Sequence, residues 1–480
     1  MGGWEDERMR GWGDGRMGVF LISQPQNFPT SQLRTPPPSP VETRQARPRI
    51  GFLTFGCRVN QYETQMMRER LEERFEIVKG EADLYIVNAC TVTSLAERKA
   101  RQAIRRLRRE WPGARILLVG CLADGVIQRL TRVEEADLLA GNAWKERIDE
   151  AVTEVLAGRR GILSVERSPS LDREAVVSHS GRVRAFLKVQ DGCDLACTFC
   201  RTTQVRGPSR SKSVSSTAAE ACRLVVNGYS EIVLTGINIA QYAPADGDLA
   251  GLTRDLLRID GLRRLRIASI DPSGITADLV DAFAEDRRVC PYFHIPLQSG
   301  DDTVLRRMKR GYRSAFYRAR VELIRQKIPQ ATFGTDVIVG FPGEDEAAFI
   351  RTCTLIEEIG FANMHIFRYS PREGTAAANL AGAIPEQEKK ERASRLERLG
   401  RTVRRRLFDS LVGSEQVVLI EEERNGRHRG YTQGYIDTLL PTGSSARPGD
   451  EVRIRITEAT DTHLYGVREN RTDDCRDNPA

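Results

Sequence analysis

The sequence predicts an α/β protein built from two consecutive α/β domains and a small C-terminal β-barrel. Three observations carry that prediction. Short apolar runs alternate with helix-length segments from Ile50 onward, the alternation restarts after a polar break at residues 161–182, and β propensity alone takes over after about residue 409. A chain of 480 residues is also too long for one ordinary core.

Residues 1–47 hold Gln24-Pro25, Pro29 and the run Thr35-Pro36-Pro37-Pro38-Ser39-Pro40 among few aliphatics, a composition that buries too little surface to offset chain entropy. A disordered tail is expected there. The first folded domain, 48–160, takes its strands from residues 50–55, 84–87, 115–119 and 138–140, short apolar runs separated by helical patterns, the mark of a parallel sheet. Residues 161–182, with Ser168-Pro169-Ser170, suit a linker. The second domain, 179–409, offers strands at 185–189, 231–234, 264–268, 292–295, 332–338 and 363–369. Six βα units predict a partial or complete β/α barrel, with its reactive groups at the C-terminal ends of the strands. A charged helix from Pro385 to about Phe408 precedes the third domain, 410–472. There, runs at 416–420, 430–440, 451–457 and 463–467, with the turn Pro448-Gly449-Asp450, predict a small five-stranded barrel.

Composition narrows the classes. Apolar residues make up 40% and charged residues 29%, and no run of about 18 apolar residues exists to cross a bilayer, so no membrane role is expected. The start, Met-Gly-Gly-Trp-Glu-Asp-Glu-Arg, lacks the basic and then apolar pattern of a secretory signal, which predicts a cytoplasmic location. In that reducing compartment ten cysteines point to metal binding or catalysis rather than to a disulfide framework. A formal charge of +7 permits a polyanionic partner without requiring one.

Cys193, Cys197 and Cys200 lie within eight residues at the end of the first strand of the second domain. Three close thiolates can hold a 4Fe-4S cluster by three irons and leave the fourth iron open to an outside ligand. The same residues could serve a zinc site that finds a fourth ligand elsewhere, or pack as small apolar side chains. A second set has no short motif. Cys57, Cys90 and Cys121 each stand just past the end of a predicted parallel strand, and in an open α/β sheet those ends share the edge where ligands bind. Singly, each would be read as a buried structural residue. Cys222 and Cys353 in helical patterns, Cys290 before a strand and Cys475 in the tail are explained by packing or exposure.

The Cys193, Cys197, Cys200 loop, with Phe199 before its third thiol, resembles the signature of the radical S-adenosylmethionine (SAM) superfamily. Gly56-Cys57-Arg58-Val59-Asn60-Gln61, Asn88-Ala89-Cys90-Thr91-Val92-Thr93 and Gly120-Cys121-Leu122-Ala123 resemble the N-terminal domain of the methylthiotransferases. The wording around Cys57 and Leu234-Thr235-Gly236-Ile237-Asn238 is most similar to the branch that modifies threonylcarbamoyladenosine in tRNA. The resemblance spans about Ile50 to Arg471, and its last part is similar to a TRAM domain, a small RNA-binding barrel.

Several expectations follow from that resemblance. Cys193, Cys197 and Cys200 would hold the cluster that binds SAM and yields a 5′-deoxyadenosyl radical. Cys57, Cys90 and Cys121 would hold an auxiliary 4Fe-4S cluster carrying the sulfur. Partners would be tRNA and an electron donor of flavodoxin or ferredoxin type. Radical chemistry suits the substrate, because an adenine C2–H bond offers side chains neither an acidic proton nor a leaving group. Phe199, Thr235, Gly236, Asn238, Ser269, Asp271 and Gln298 fall near strand ends and are candidates for holding SAM, although Gly236 and the Gly340-Phe341-Pro342-Gly343 turn could simply shape loops. His294, inside a strand, reads as a satisfied interior residue. After Cys200 the chain has Arg201-Thr202-Thr203 where many relatives place two aliphatics and a proline, so this loop is more polar than the pattern it resembles.

For RNA contact, the stretch from Arg98 to Arg109 carries Arg98, Lys99, Arg101, Arg105, Arg106, Arg108 and Arg109 with no acidic residue. The helix 389–406 and the loop residues Arg206, Arg210 and Lys212 add further cations. Residues 413–471 hold eight Lys/Arg against ten Asp/Glu, a net of −2, with Arg424, Arg427 and Arg429 as the local basic cluster.

Overall fold

Strand β1 (Arg49–Phe55) heads a six-stranded sheet with β2 (Glu76–Val78), β3 (Leu84–Ala89), β4 (Arg115–Val119), β5 (Leu138–Ala140) and β6 (Gly161–Leu163). This computed structural model describes residues 47–91, 94–163, 170–443 and 446–468, so the expected N-terminal tail lies outside the described residues. The order is β2-β1-β3-β4-β5-β6 and every pairing is parallel. All six residues of β3 are buried, as a central parallel strand covered on both faces must be. Ile50, Leu84, Ile86, Leu117 and Val119 pack on one face. Tyr85, Val87, Ile116 and Leu118 pack on the other. Edge strands β2 and β6 were not expected, and the segment read as a linker from Gly161 opens with β6. Three residues are too few for a period-2 pattern to show.

The rest of that segment is not loose either, for Leu171, Glu174, Val176 and His179 are buried. Strand β7 (Arg184–Lys188) follows, then a short ladder of β8 (Gln190–Asp191) and β9 (Arg210–Ser211) that bounds the Cys193 loop. Five more parallel strands complete the second sheet: β10 (Glu231–Thr235), β11 (Arg264–Ile267), β12 (Tyr292–His294), β13 (Thr332–Val339) and β14 (Asn363–Arg368). Two three-stranded runs, β7-β10-β11 and β12-β13-β14, join through a parallel bridge from Leu265 to Val289 and the bond from Ile270 N–H to the His294 carbonyl, 3.0 Å. Among the described residues β7 and β14 do not pair, so the six strands form an open arc, the partial form of the expected barrel.

The last five strands close on themselves in the order β15-β16-β17-β19-β18: β15 (Glu415–Arg424), β16 (Arg427–Thr432), β17 (Asp437–Leu439), β18 (Glu451–Ala459) and β19 (Leu464–Arg468). Asn425 and Gly426, both at positive φ, make the β15–β16 turn, the dipeptide such a hairpin favours. The run expected as one strand at 430–440 breaks in two around Tyr435, itself at φ 60°.

That break has a purpose. The Thr432–Tyr435 turn plugs the N-terminal mouth of the arc, where the opening residues of its strands receive it. Arg184 stacks its guanidinium over the Tyr435 ring, and Tyr292 lies against the same ring at 5.0 Å. Thr332 donates to the Gly434 carbonyl at 2.7 Å and Asn363 to the Tyr435 carbonyl at 3.2 Å. Arg264 and Arg266, both fully buried on β11, reach the carbonyls of Val417, Tyr431 and Gln433. With one mouth closed, only the C-terminal ends of the strands are left for chemistry. Tyr435→Ala should cost about 3 kcal/mol, from the lost burial and the cavity left behind. Urea denaturation checks this, and a wild-type midpoint in the variant contradicts the plug.

Candidate functional site

The first sheet explains why three distant cysteines meet. Strands β1, β3 and β4 are neighbours, and Cys57, Cys90 and Cys121 each follow the C-terminal end of one of them. Cys90 N–H donates to the Phe55 carbonyl at 2.8 Å, which carries the ladder up to the thiols. Cys57 is the N-cap of α1 (Arg58–Leu71), and Cys121 opens the seven-residue helix Cys121–Ile127. Gly56, at φ 135°, needs its missing side chain, because a Cβ there would stand 2.6 Å from the Cys90 Cβ.

Burial pushes the Cys57 thiol up. Cys121 goes the other way. Hydrogen bonding with Cys90 acts first, burial opposes it, and the Arg206 and Lys145 cations add to it, so the thiol is brought down to about 6. Arg206 Nε donates to Cys121 Sγ at 3.1 Å. A thiolate is the form a metal takes, and three convergent thiols with a cation against one of them fit an iron-sulfur group.

The second set sits across from the first. The loop from Cys193 to Cys200 leaves β8 through Gly192, at φ 76°, where a Cβ would fall 1.9 Å from the Pro208 carbonyl oxygen. Each sulfur has a donor aimed at it. Leu195 N–H and Asn238 Nδ2 approach Cys193 Sγ at 3.4 and 3.6 Å. Arg310 Nη1 approaches Cys197 Sγ at 3.3 Å, and Thr202 N–H approaches Cys200 Sγ at 3.4 Å. Donors of this kind stabilise thiolate charge and tune a bound cluster, so the loop fits one.

The SAM candidates divide into those tied to this loop and those merely near it. Asn238 touches Cys193 directly. Asp271 holds Arg310, which touches Cys197, and is itself fixed by Ser273 Oγ at 2.7 Å. Phe199 packs edge-on against Phe341, centroids 6.4 Å apart. Thr235 is buried at the end of β10, and Gly236 passes close to Gln190, whose Oε1 accepts from Asn238 N–H at 2.7 Å. Gln298 has φ 62°, a left-handed conformation costly for this residue type, and donates its N–H to the Asp336 carbonyl at 2.8 Å. Ser269 lies half-buried beyond β11. Arg201, the polar departure after Cys200, is buried and donates to the carbonyls of Glu373 and Leu130 at 2.8 and 3.1 Å.

Between the two sets lies a buried charge lattice that sequence reasoning missed. Glu63, on α1, accepts from Lys145, from Lys188 at 3.0 Å and from Arg206 at 2.7 Å. Asp191 accepts from Lys188 and Arg206, each at 2.9 Å, and Glu174 from Lys188 at 2.7 Å. Burial would raise the carboxyls of Asp191 and Glu63, but Arg206 and Lys188 hold Asp191 well below the carboxylate range, and Arg206, Lys145 and Lys188 do the same for Glu63.

The RNA expectation needs correcting here. Arg206 and Lys212 are buried and Arg210 is largely so; they are paired with Glu63, Asp191 and Glu220 inside the protein rather than presented on its surface. On α2 (Ser94–Glu110), Arg101 pairs with Glu97, Arg105 with Glu135, Arg106 with Glu110 and Arg108 with Asp137. Arg98, Lys99 and Arg109 are exposed with no carboxylate partner among the described residues. In the closed barrel Arg429 is bound to Asp437 and Glu422, whereas Arg424 and Arg427 stand exposed at the hairpin tip. Arg206→Ala, which strips a cation from two buried carboxylates, should cost about 3 kcal/mol in urea denaturation of the cluster-free protein. A loss below about 1 kcal/mol, the range of an exposed pair, contradicts the lattice.

Comparison with known proteins agrees with this geometry. The Radical SAM superfamily matches residues 187–356, and Uncharacterized protein family UPF0004 matches residues 49–141. The threonylcarbamoyladenosine tRNA methylthiotransferase MtaB of Thermotoga maritima is 37% identical over 80% of this chain and 89% of its own length. Its Bacillus subtilis counterpart is 34% identical over 85% and 94%. The tRNA-2-methylthio-N(6)-dimethylallyladenosine synthase of Pelotomaculum thermopropionicum is 31% identical over 87% and 96%. Among solved structures, the radical SAM methyltransferase TsrM of Kitasatospora setae superposes with a TM-score of 0.53 at 13% identity, covering 69% of this chain and 75% of TsrM, a likeness of fold alone. No described helix is long and apolar enough to cross a membrane. The superfamily match brings SAM and a 4Fe-4S cluster as cofactors. The chain belongs to the tRNA methylthiotransferase family of radical SAM enzymes.

Proposed function

We propose that this enzyme converts N6-threonylcarbamoyladenosine next to the anticodon, at position 37 of tRNA, to its 2-methylthio derivative, using two 4Fe-4S clusters. The observation that carries the reading is the pairing of two three-thiol sets at the strand ends of adjoining sheets, in a chain that matches threonylcarbamoyladenosine methylthiotransferases over most of its length. Bound at Cys193, Cys197 and Cys200, a cluster supplies one-electron cleavage of SAM, and bound at Cys57, Cys90 and Cys121 a second supplies the sulfur.

The protein's own contribution is placement and charge. Asn238 and Arg310 present N–H groups to the sulfurs of the SAM set, and Asp271 orients Arg310. Phe199, Thr235, Gly236, Ser269 and Gln298 hold SAM beside that set. Arg206 balances thiolate charge at Cys121. Exposed Arg98, Lys99 and Arg109, with Arg424 and Arg427, meet tRNA phosphates, and an electron donor of flavodoxin or ferredoxin type docks from the cytoplasm. The division of labour follows residues 48–160 for sulfur delivery, 179–409 for the radical step and 410–472 for RNA.

Mass spectrometry of tRNA nucleosides from a deletion strain tests the substrate. Loss of 2-methylthio-threonylcarbamoyladenosine, restored by the wild-type gene, is the expected result. If that nucleoside persists and the 2-methylthio-isopentenyl derivative or the methylthio-aspartate of a ribosomal protein disappears instead, the enzyme serves a sister branch, as its 31% identity to a dimethylallyladenosine synthase allows.

A further inference from the structure

We propose that His294, Asp336 and His365 form a binding site for one divalent first-row transition-metal ion on the strand arc of the second domain, separate from both sets of cysteines. The three residues come from adjacent parallel strands β12, β13 and β14. Asp336 is the register partner of His365, and His294 is the partner of Gly334, two residues before Asp336. Side chains two apart on a strand share a face, so all three project from one face of the arc. The opposite face is taken by Phe293, Phe333 and Val337, which pack in the main core.

The distances are those of two hydrogen bonds to one carboxylate oxygen, and they equal the spacing of neighbouring ligands around an ion. His294 Nε2 and His365 Nδ1 lie 3.1 and 2.9 Å from the same Asp336 oxygen, and one ligand atom from each residue falls within 4.8 Å of the others. Ligands about 2.1 Å from one octahedral ion stand about 3.0 Å apart when they are neighbours. Two imidazoles converge on a single carboxylate oxygen, more donors than a strand tie requires. The second ring nitrogen of His294 is also engaged, with Nδ1 3.3 Å from the Tyr292 hydroxyl, the outer contact that sets a ligating imidazole's tautomer and angle. Gly334 makes this possible, because a Cβ there would sit 2.0 Å from the Tyr292 hydroxyl and 2.8 Å from His294 Nδ1.

Two imidazoles and a carboxylate suit Fe(II), Co(II), Ni(II) or Zn(II), and leave positions for oxygen ligands. The His365 and Asp336 side chains are 25% and 24% exposed, so a small ligand can reach them. The site is one hydrogen bond from Gln298, through the Asp336 carbonyl. An ion there would tie together the last three strands of an arc that has a free edge, and offer its open positions to a carbonyl or carboxylate oxygen.

The test uses protein with its clusters reconstituted, cleared of loose ions with a weak chelator and titrated anaerobically with Co(II). Wild type should take up one Co(II) with micromolar affinity, giving weak visible bands without the intense near-ultraviolet absorption of cobalt-thiolate bonds. Asp336→Asn and His365→Gln should each weaken uptake by about tenfold or more. Cys222→Ala, at an exposed thiol outside both sets, should leave it unchanged. Should Asp336→Asn fail to fold, His365→Gln at its partly exposed position still decides. Absent uptake by wild type, thiolate absorption, or uptake unchanged in His365→Gln would each overturn the proposal.

Discussion

Glu63 is a carboxylate taken out of water and surrounded by three cations, Lys145 from its own domain and Lys188 and Arg206 from the next. Removing such charges from water costs several kcal/mol each, and the cost is repaid only where every partner is in place. The two sheets therefore have one good way to meet. Asp191 and Glu174 extend the lattice so that Lys188 is surrounded by carboxylates, and Asn60 receives Arg206 Nη2 at 3.0 Å. Both thiol sets hang from this lattice. Cys57 lies six residues before Glu63, Cys193 two after Asp191, and Arg206 touches Cys121 itself. A packed apolar interface could hold the sheets together as firmly, but it would not also supply cations to a nascent thiolate.

The second constraint is direction. Parallel strands gather their C-terminal ends on one side, which is why cysteines scattered over the first sheet meet and why the Cys193 loop opens at the same end of the second. The closed barrel at the C-terminus then stops the opposite mouth with the Thr432–Tyr435 turn, held by Thr332 and Asn363 and packed against Tyr292. Tyr435 feels the same logic of buried charge as Glu63. Burial alone would raise its phenol, yet the Arg184 and Arg58 guanidinium groups bring it down to about 8.

Much of this was legible in the sequence, and what was legible is local. All six strands of the arc are apolar enough to be read one by one, and strand-end placement found Cys57, Cys90 and Cys121 without a motif. Whatever depended on distant partners was hidden. Arg206, Arg210 and Lys212 looked like a phosphate-binding loop because Glu63 is 143 residues from Arg206. Two of the six α2 arginines, Arg105 and Arg108, looked free because the carboxylates that hold them lie on the Glu135–Asp137 segment, across a strand. Edge strands of three residues carry no period, and a His–Asp–His group drawn from three strands carries no spacing to recognise. His294 was indeed satisfied in the interior, but its partners were invisible until β12, β13 and β14 lay side by side.

Hydrogen exchange of the cluster-free protein, comparing wild type with Glu63→Gln, reads the central claim most directly. Neutralising the hub of the lattice should speed exchange together in the Cys57–Glu63 stretch, the Cys193–Arg206 loop and the helix that Cys121 opens, while the closed C-terminal barrel keeps its protection. Faster exchange in only one of those segments, or in none, would mean that the two thiol sets are positioned independently and that the buried charges between them are incidental.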